Sequence, residues 1–212
     1  MTDSRAMLLE AARRTEALGL NHAATGNVSL RTAGGMLITP TAVPYDQLDA
    51  DGLVPVALDG TVEGTGIPSS EWRLHTAIYR ARTDLGAIVH THSRFATTIA
   101  CLREDLPAVH YMLAVTGANR VRCAPYAPFG SAELARAAVA ALGQARACLL
   151  GNHGLVAGGV DLEEALKVAV EVETVAEYWW RARAVGVPVL LTDEEMAEAL
   201  IRFGWYGVPP GR

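Results

Sequence analysis

The sequence predicts an α/β fold, a single three-layer αβα domain around a central mixed sheet. Three observations predict it. Strand-like and helix-like runs alternate from Gly86 onward. Shorter β-like runs, punctuated by Gly, Asp and Pro, come before them. Of the 212 residues, 50% are hydrophobic and 19% charged, which suits one large buried core better than a disordered chain.

The elements follow in order. Ser4 to Leu18 reads as a helix: Met7, Leu8, Ala11, Ala12, Thr15 and Leu18 share a face, Ser4 can cap it and Gly19 can end it. Asn27–Arg31, Met36–Thr39 and Leu53–Leu58 read as strands. Ser70 begins a helix over Glu71–Arg82, and Ala87–Thr91 is a short apolar run that reads as a buried strand. Phe95–Leu102 is helical again. Ser131 starts an Ala-rich helix with Glu133 in its first turn, and Ala147–Leu150 is another buried strand. Asp161 with Glu164 caps a long helix that stops near Gly186, and Thr192 with Glu195 forms a capping box for the last one. With no repeat, linker or low-complexity segment, residues 1–212 read as one domain.

Composition narrows the function. The formal net charge of −5, with no run of Lys or Arg, speaks against a nucleic-acid surface or a membrane patch. No uncharged stretch is long enough to span a bilayer, and Met-Thr-Asp-Ser-Arg opens the chain with no apolar signal core behind it. The three cysteines, Cys101, Cys123 and Cys148, are odd in number and widely spaced, so they read as reduced thiols of a cytoplasmic protein.

The stretch "VHTHS" carries the first chemical signal. Residues i and i+2 of a strand point the same way, so His90 and His92 can share one cation at the strand end. On spacing alone the pair reads equally well as one surface and one core histidine. Two further segments add to it. "GNHGLVAGG" sets His153 in a Gly-flanked turn, where backbone can come close to a ligand. "PSSEWRLH" sets Glu71 in the first turn of a helix. Together these residues would supply three nitrogens and one carboxylate, a set that suits zinc with an exchangeable fourth position.

Three polar loops carry the second signal: "TGNVS", "ITPTAVPY" and "PSS". Each combines small hydroxyl or amide side chains with a turn. With the N-terminus of the Glu71 helix they could hold a phosphate without any Lys or Arg, provided they converge. Taken singly, each reads as a turn or a cap.

In this order, "GLNHAATGNVS", "MLITPTAVPYDQL", "PSSEWRLHTAIYRAR", "VHTHS", "PAVHYMLAVTG", "CAPYAPFGS", "NHGLVA" and "RFGWYG" resemble the class II aldolase/adducin family, most of all its L-fuculose-1-phosphate aldolase branch. The blocks span nearly the whole chain. The resemblance implies one zinc per subunit, held by His90, His92 and His153, with Glu71 as fourth ligand at rest and then as catalytic base. It implies a phosphate pocket of Asn27, Thr41, Ala42, Ser69 and Ser70. Ala42 stands where the aldolase pattern has Gly, which puts phosphate binding by that amide in question. Tyr111 matches a catalytic tyrosine reaching in from a neighbouring subunit, and Phe129 and Tyr206 match residues that close over the substrate tail. A cyclic homotetramer with sites between subunits is implied as well.

The reaction so implied is cleavage of a ketose 1-phosphate, L-fuculose 1-phosphate or similar, to dihydroxyacetone phosphate and an aldehyde. It needs no Schiff base, in keeping with Lys167 as the sole lysine. The alternatives are a 5-deoxyribulose- or methylthioribulose-1-phosphate aldolase, or an epimerase or dehydratase on the same scaffold. A non-catalytic module of the adducin kind is the remaining one, and it is expected to lose metal ligands that this chain keeps. His22 and His75 read as structural or supporting residues, and His110 as an orienter of Tyr111 or a strand-edge residue. Trp179 and Trp180 read as packing groups.

Overall fold

The computed structural model describes residues 4–22 and 25–204. In chain order the elements are α1 (Ser4–Ala17), β1 (Asn27–Arg31), β2 (Gly35–Ile38), β3 (Val54–Ala57), α2 (Trp72–Ala81), β4 (Ala87–Thr91), α3 (Arg94–Leu102) and β5 (Leu106–Pro107). A 3₁₀ segment (Tyr111–Thr116) follows. Then come β6 (Arg120–Val121), β7 (Cys123–Ala124), α4 (Ala132–Leu142), β8 (Ala147–Leu150), β9 (Gly154–Gly159), α5 (Leu162–Val185) and α6 (Asp193–Phe203).

The central sheet is mixed, with seven strands in the order β3-β2-β1-β4-β9-β8-β7. Its pairs are antiparallel apart from the parallel β7–β8 edge, and β5 and β6 form a separate small ladder. Helices cover both faces, which gives the three layers. The period-2 alternation of the strands sorts the core. Val89, Leu149, Leu155 and Ala157 face α1, α3 and α5, whereas Ile88, Cys148, Leu150 and Val156 face α2 and α4. α5 lays Leu166, Val172 and Val175 on the first face. Each such buried Leu or Val is worth roughly 1.5–3 kcal/mol, so a charge at Val172 would break that layer.

Capping follows the sequence reading at three helices. The side chains of Ser131, Asp161 and Thr192 accept from the third backbone N–H onward, and Thr192 with Glu195 closes a capping box. Two helix starts differ from it. Ser4 lies inside α1, and Glu71, not Ser70, occupies the N-cap of α2, with its N–H donating to Ser69 Oγ at 3.3 Å. α3 is capped from outside: the Glu173 carboxylate of α5 accepts from the N–H groups of Phe95 and Ala96, both at 2.8 Å. A full negative charge thereby meets the positive end of α3 directly after His92.

The Gly-flanked turn at His153 leads straight into a strand, β9, that the sequence hid. Three glycines interrupt its apolar alternation, and neighbours stand where their side chains would be. A Cβ on Gly158 would meet Leu85 at 2.8 Å, and one on Gly159 would meet Ala165 N at 2.4 Å.

Candidate functional site

β4 ends at the site. Its even positions Ile88 and His90, with His92 beyond, lie on the α2 side of the sheet, and Asn27 pairs with His90 in the neighbouring strand. His90 is fully buried, and its Nδ1–H donates to the Leu155 carbonyl at 2.9 Å. That bond turns Nε2 into the site, where it lies 3.1 Å from His92 Nε2. The backbone N–H of His92 donates to Asn21 Oδ1 at 3.1 Å. His153 swings in on the β8–β9 turn through Asn152, which takes the left-handed conformation at φ 54°. Gly154 is required there, because a Cβ would stand 2.3 Å from the Thr91 carbonyl oxygen and 3.1 Å from His92 Cδ2.

The three rings face one another nearly at right angles, with centroids 4.9–5.0 Å apart. Their candidate ligand nitrogens lie within 4.8 Å of one another. Glu71 closes the group: Oε2 is 2.8 Å from His90 Nε2 and Oε1 is 3.6 Å from His153 Nε2. Oε1 is buried and has no hydrogen-bond partner among the described residues. A buried carboxylate oxygen without a partner, beside three imidazole nitrogens, fits a divalent cation of the zinc type.

The charges point the same way. Burial would raise the Glu71 carboxyl, but the imidazole of His90, with His153 and His75 beyond, holds it well below the usual carboxylate range. Burial works against a charge on His90, yet the Glu71 carboxylate and the Leu155 carbonyl together raise it. His92 is pushed down to about 3 and His153 to about 4, by burial and then by their histidine neighbours. Two imidazoles are thus kept neutral, as metal ligands must be.

Beside this centre opens a cleft of about 360 Å³. The three polar loops do converge on it: Thr25, Gly26, Asn27, Thr41, Ala42, Ser69 and Ser70 line it together with Glu71, His92 and His153. Backbone pairing brings them together. Pro40 bridges Pro68, Ser69 N–H donates to the Thr39 carbonyl at 3.0 Å, and Thr41 N–H to the Ile67 carbonyl at 3.2 Å. Tyr45 ties the first loop to the second through its hydroxyl, which donates to the Gly26 carbonyl at 3.2 Å. A Cβ on Gly26 would sit 2.5 Å from the His90 carbonyl oxygen, so this loop can lie against β4 only with glycine there. Ala42 has φ 56°. It keeps the left-handed backbone that glycine adopts freely. No Lys or Arg lines the cleft among the described residues.

Phe129 stands at the rim, 73% exposed, next to Tyr126 and Ala127. Tyr111 does not join the cleft of its own chain. It is 53% exposed and borders a separate depression with Met112, Glu198, Arg202 and Phe203. The His110 ring lies 4.7 Å from the Tyr111 ring, and His110 Nδ1 accepts from Met112 N–H at 3.3 Å. Tyr206 falls outside the described residues. His22 is exposed, whereas His75 is fully buried behind Asn27. Three cleft features carried no signal in the sequence: the Asn21 bond to His92, the turn residue Asn152, and Tyr126 on the wall. Each depends on contacts far along the chain.

The sequence pattern of the Class II Aldolase and Adducin N-terminal domain matches residues 6–180. A 5-methylthioribulose-1-phosphate/5-deoxyribulose-1-phosphate aldolase of Rhodospirillum rubrum is 45% identical over 200 residues, 94% of this chain and 90% of that protein. An L-fuculose phosphate aldolase of Escherichia coli K12 is 45% identical over 192 residues, 90% of this chain and 89% of that protein. The structure of an L-fuculose 1-phosphate aldolase superposes with a TM-score of 0.93 at 38% identity, covering 96% of this chain and 97% of the other.

Proposed function

The chain belongs to the class II aldolase and adducin family and is one of its carbon–carbon lyases, and from that premise we propose that it is a zinc-dependent aldolase of ketose 1-phosphates. Its substrate would be L-fuculose 1-phosphate or a close analogue, and its products dihydroxyacetone phosphate and an aldehyde. The observation that carries the reading is the convergence of His90, His92, His153 and Glu71 beside a cleft end walled by hydroxyls and amides. The same reading makes residues 1–212 one domain of a cytoplasmic homotetramer, with its sites at subunit interfaces.

His90, His92 and His153 would hold the zinc, with Glu71 as fourth ligand at rest. When bound, the metal supplies Lewis-acid stabilisation of the negative charge that builds on the C2 oxygen as C3–C4 breaks. Asn27, Thr41, Ala42, Ser69 and Ser70 grip the phosphate at the far end and so orient C3 toward Glu71. Glu71 returns a proton to the carbon that was C3, and in the synthetic direction removes it. Its Oε1 has no hydrogen-bond partner among the described residues, so the proton transfer breaks no hydrogen bond to them. Tyr111 of a neighbouring subunit, exposed outside its own cleft, would hydrogen-bond the C4 oxygen while the C4 hydroxyl proton passes to water, and water would supply the proton that Glu71 delivers to C3. Phe129 and Tyr206 would cover the tail.

Relatives with both kinds of sugar tail are equally similar to this chain. The test is therefore a panel: zinc-loaded protein with the 1-phosphates of fuculose, 5-deoxyribulose, 5-methylthioribulose and rhamnulose, with dihydroxyacetone phosphate detected by a coupling dehydrogenase. Product that vanishes with chelator is the expected result, and the ranking names the tail. No product from any of the four, with zinc retained, would overturn these four ketose 1-phosphates as substrates and point to another aldehyde partner.

A further inference from the structure

Under the anion end of the cleft, buried polar groups run in a line into the core. Asn27 Oδ1 lies 2.5 Å from His75 Nε2, and His75 Nδ1 lies 2.7 Å from Ser29 Oγ. Ser29 Oγ lies 2.9 Å from the Tyr79 hydroxyl, which is also 3.1 Å from the Ser29 carbonyl oxygen. The Arg31 guanidinium sits 4.4 Å over the Tyr79 ring. Ser29, His75 and Tyr79 are fully buried; Asn27, 4% exposed, opens on the cleft. The register of β1 explains the line: Asn27 and Ser29 are alternate residues, so both face α2, where His75 and Tyr79 lie one helical turn apart.

Such a line can be polarised in two directions. In the first, Tyr79 donates to Ser29 Oγ, the Ser29 hydroxyl to His75 Nδ1, and His75 Nε2–H to Asn27 Oδ1. In the second, the Asn27 N–H₂ would donate inward, the Ser29 hydroxyl would donate to the Tyr79 oxygen, and the Tyr79 hydroxyl would end the line on the Ser29 carbonyl. Both end on a carbonyl oxygen, but Asn27 turns its Oδ1, which can only accept, to His75 Nε2, so His75 donates there and the line runs in the first direction. The Arg31 charge over the ring strengthens the phenol as donor. Asn27 Nδ2 hydrogen-bonds no described residue, and Asn27 lines the cleft.

We propose that Tyr79, Ser29 and His75 form a one-way hydrogen-bond relay that locks the Asn27 carboxamide with its N–H₂ toward the cleft, so that Asn27 is presented as a donor to a bound phosphate and its flipped form is barred. The inference rests on the phosphate reading of the cleft. His75 is then a positioning residue. It acts through Asn27 and touches no substrate atom.

Two readouts on the zinc-loaded full chain test it. Nitrogen-15 NMR of histidine-labelled protein, with the His75 signals assigned by their loss in His75→Gln, is expected to show a proton on His75 Nε2; a bare Nε2 overturns the relay. Calorimetric titration with inorganic phosphate is expected to show affinity about threefold to tenfold weaker in Tyr79→Phe and in His75→Leu, with zinc content unchanged. His75→Gln, which keeps an N–H for Asn27, is expected to recover part of the loss. With the ketose 1-phosphate, KM rises in Tyr79→Phe and kcat holds. Phosphate affinities within twofold of the parent in both Tyr79→Phe and His75→Leu overturn the proposal. Asn27→Asp separates it from the reading beneath: if that variant binds phosphate as the parent does, the phosphate pocket is wrong, and the NMR result still judges the relay by itself.

Discussion

Glu71 meets His90 through Oε2 at 2.8 Å, while its Oε1, 3.6 Å from His153, has no hydrogen bond among the described residues. One carboxylate thus has one oxygen held and the other available, and the two can serve different purposes. Glu71→Gln keeps the shape and removes the proton acceptor. Turnover is expected to fall about 10²- to 10⁴-fold while zinc is retained, as read by steady-state rates and metal analysis on the same sample. Turnover within tenfold of the parent would assign the proton transfer to another group.

His92→Ala removes one nitrogen of three and leaves a space beside Gly154. Zinc retention and activity should disappear together, followed by metal analysis after gel filtration. Full activity in this variant would break the metal assignment.

Ala42 holds a left-handed backbone at φ 56°, where an L side chain costs roughly 1–2 kcal/mol. Ala42→Gly is therefore expected to raise stability by about 0.5–1 kcal/mol in urea unfolding, with phosphate affinity unchanged. Ala42→Val should lower stability, because a β-branched residue tolerates this region still less. Equal midpoints for all three proteins would show that the loop relaxes freely around this residue.

Tyr111 lies outside the cleft of its own chain, beside Met112 and Phe203. If a site takes its metal from one subunit and its tyrosine from another, two inactive variants can repair each other. Tyr111→Phe keeps its zinc and loses turnover; His92→Ala loses zinc and keeps its tyrosine. Refolded together they are expected to regain activity, up to about a quarter of the parent level in a randomly mixed tetramer. No recovery in a mixture shown to contain hybrids would place Tyr111 out of the chemistry.

His75 also sets an acid limit. Burial, then the nearby His90, push it down to about 3, and the Glu71 charge only partly offsets them. Below the ordinary histidine value near 6.5 the unfolded chain takes up a proton that the native one refuses. Its contribution is therefore whole above about 6.5 and is lost as pH falls from there toward 3. Metal-stripped protein should lose urea stability between pH 7 and pH 5 more steeply than metal-stripped His75→Gln. Parallel slopes would mean that His75 is protonated in the fold.

What the sequence made legible was whatever depends on neighbours in the chain. β4 and β8 stood out as short unbroken apolar runs, and α4, α5 and α6 by caps that work within four residues. The His90–His92 pair was legible because strand geometry puts both on one side. β9 was not, since Gly158 and Gly159 erase its pattern to make room for Leu85 and the start of α5. The meeting of the polar loops was not legible either, because it depends on the Pro40–Pro68 bridge, which no local signal announces. Nor was Glu173 as the cap of α3, since it lies far along the chain from the N–H groups it accepts from.

The β4–β9 ladder, which pairs Ala87 with Gly159 and Thr91 with Leu155, also governs when the centre can come into being during folding. Until that long-range pairing closes, His153 and the two β4 histidines belong to separate stretches of chain, and closing so large a loop is slow. On the zinc reading, a nascent chain that lacks β9 offers the ion Glu71 and the His90–His92 pair at most, and the set is complete only once His153 arrives. Capture of the metal becomes one of the last events of assembly, and its uptake in a refolding experiment would serve as a clock for completion of the sheet.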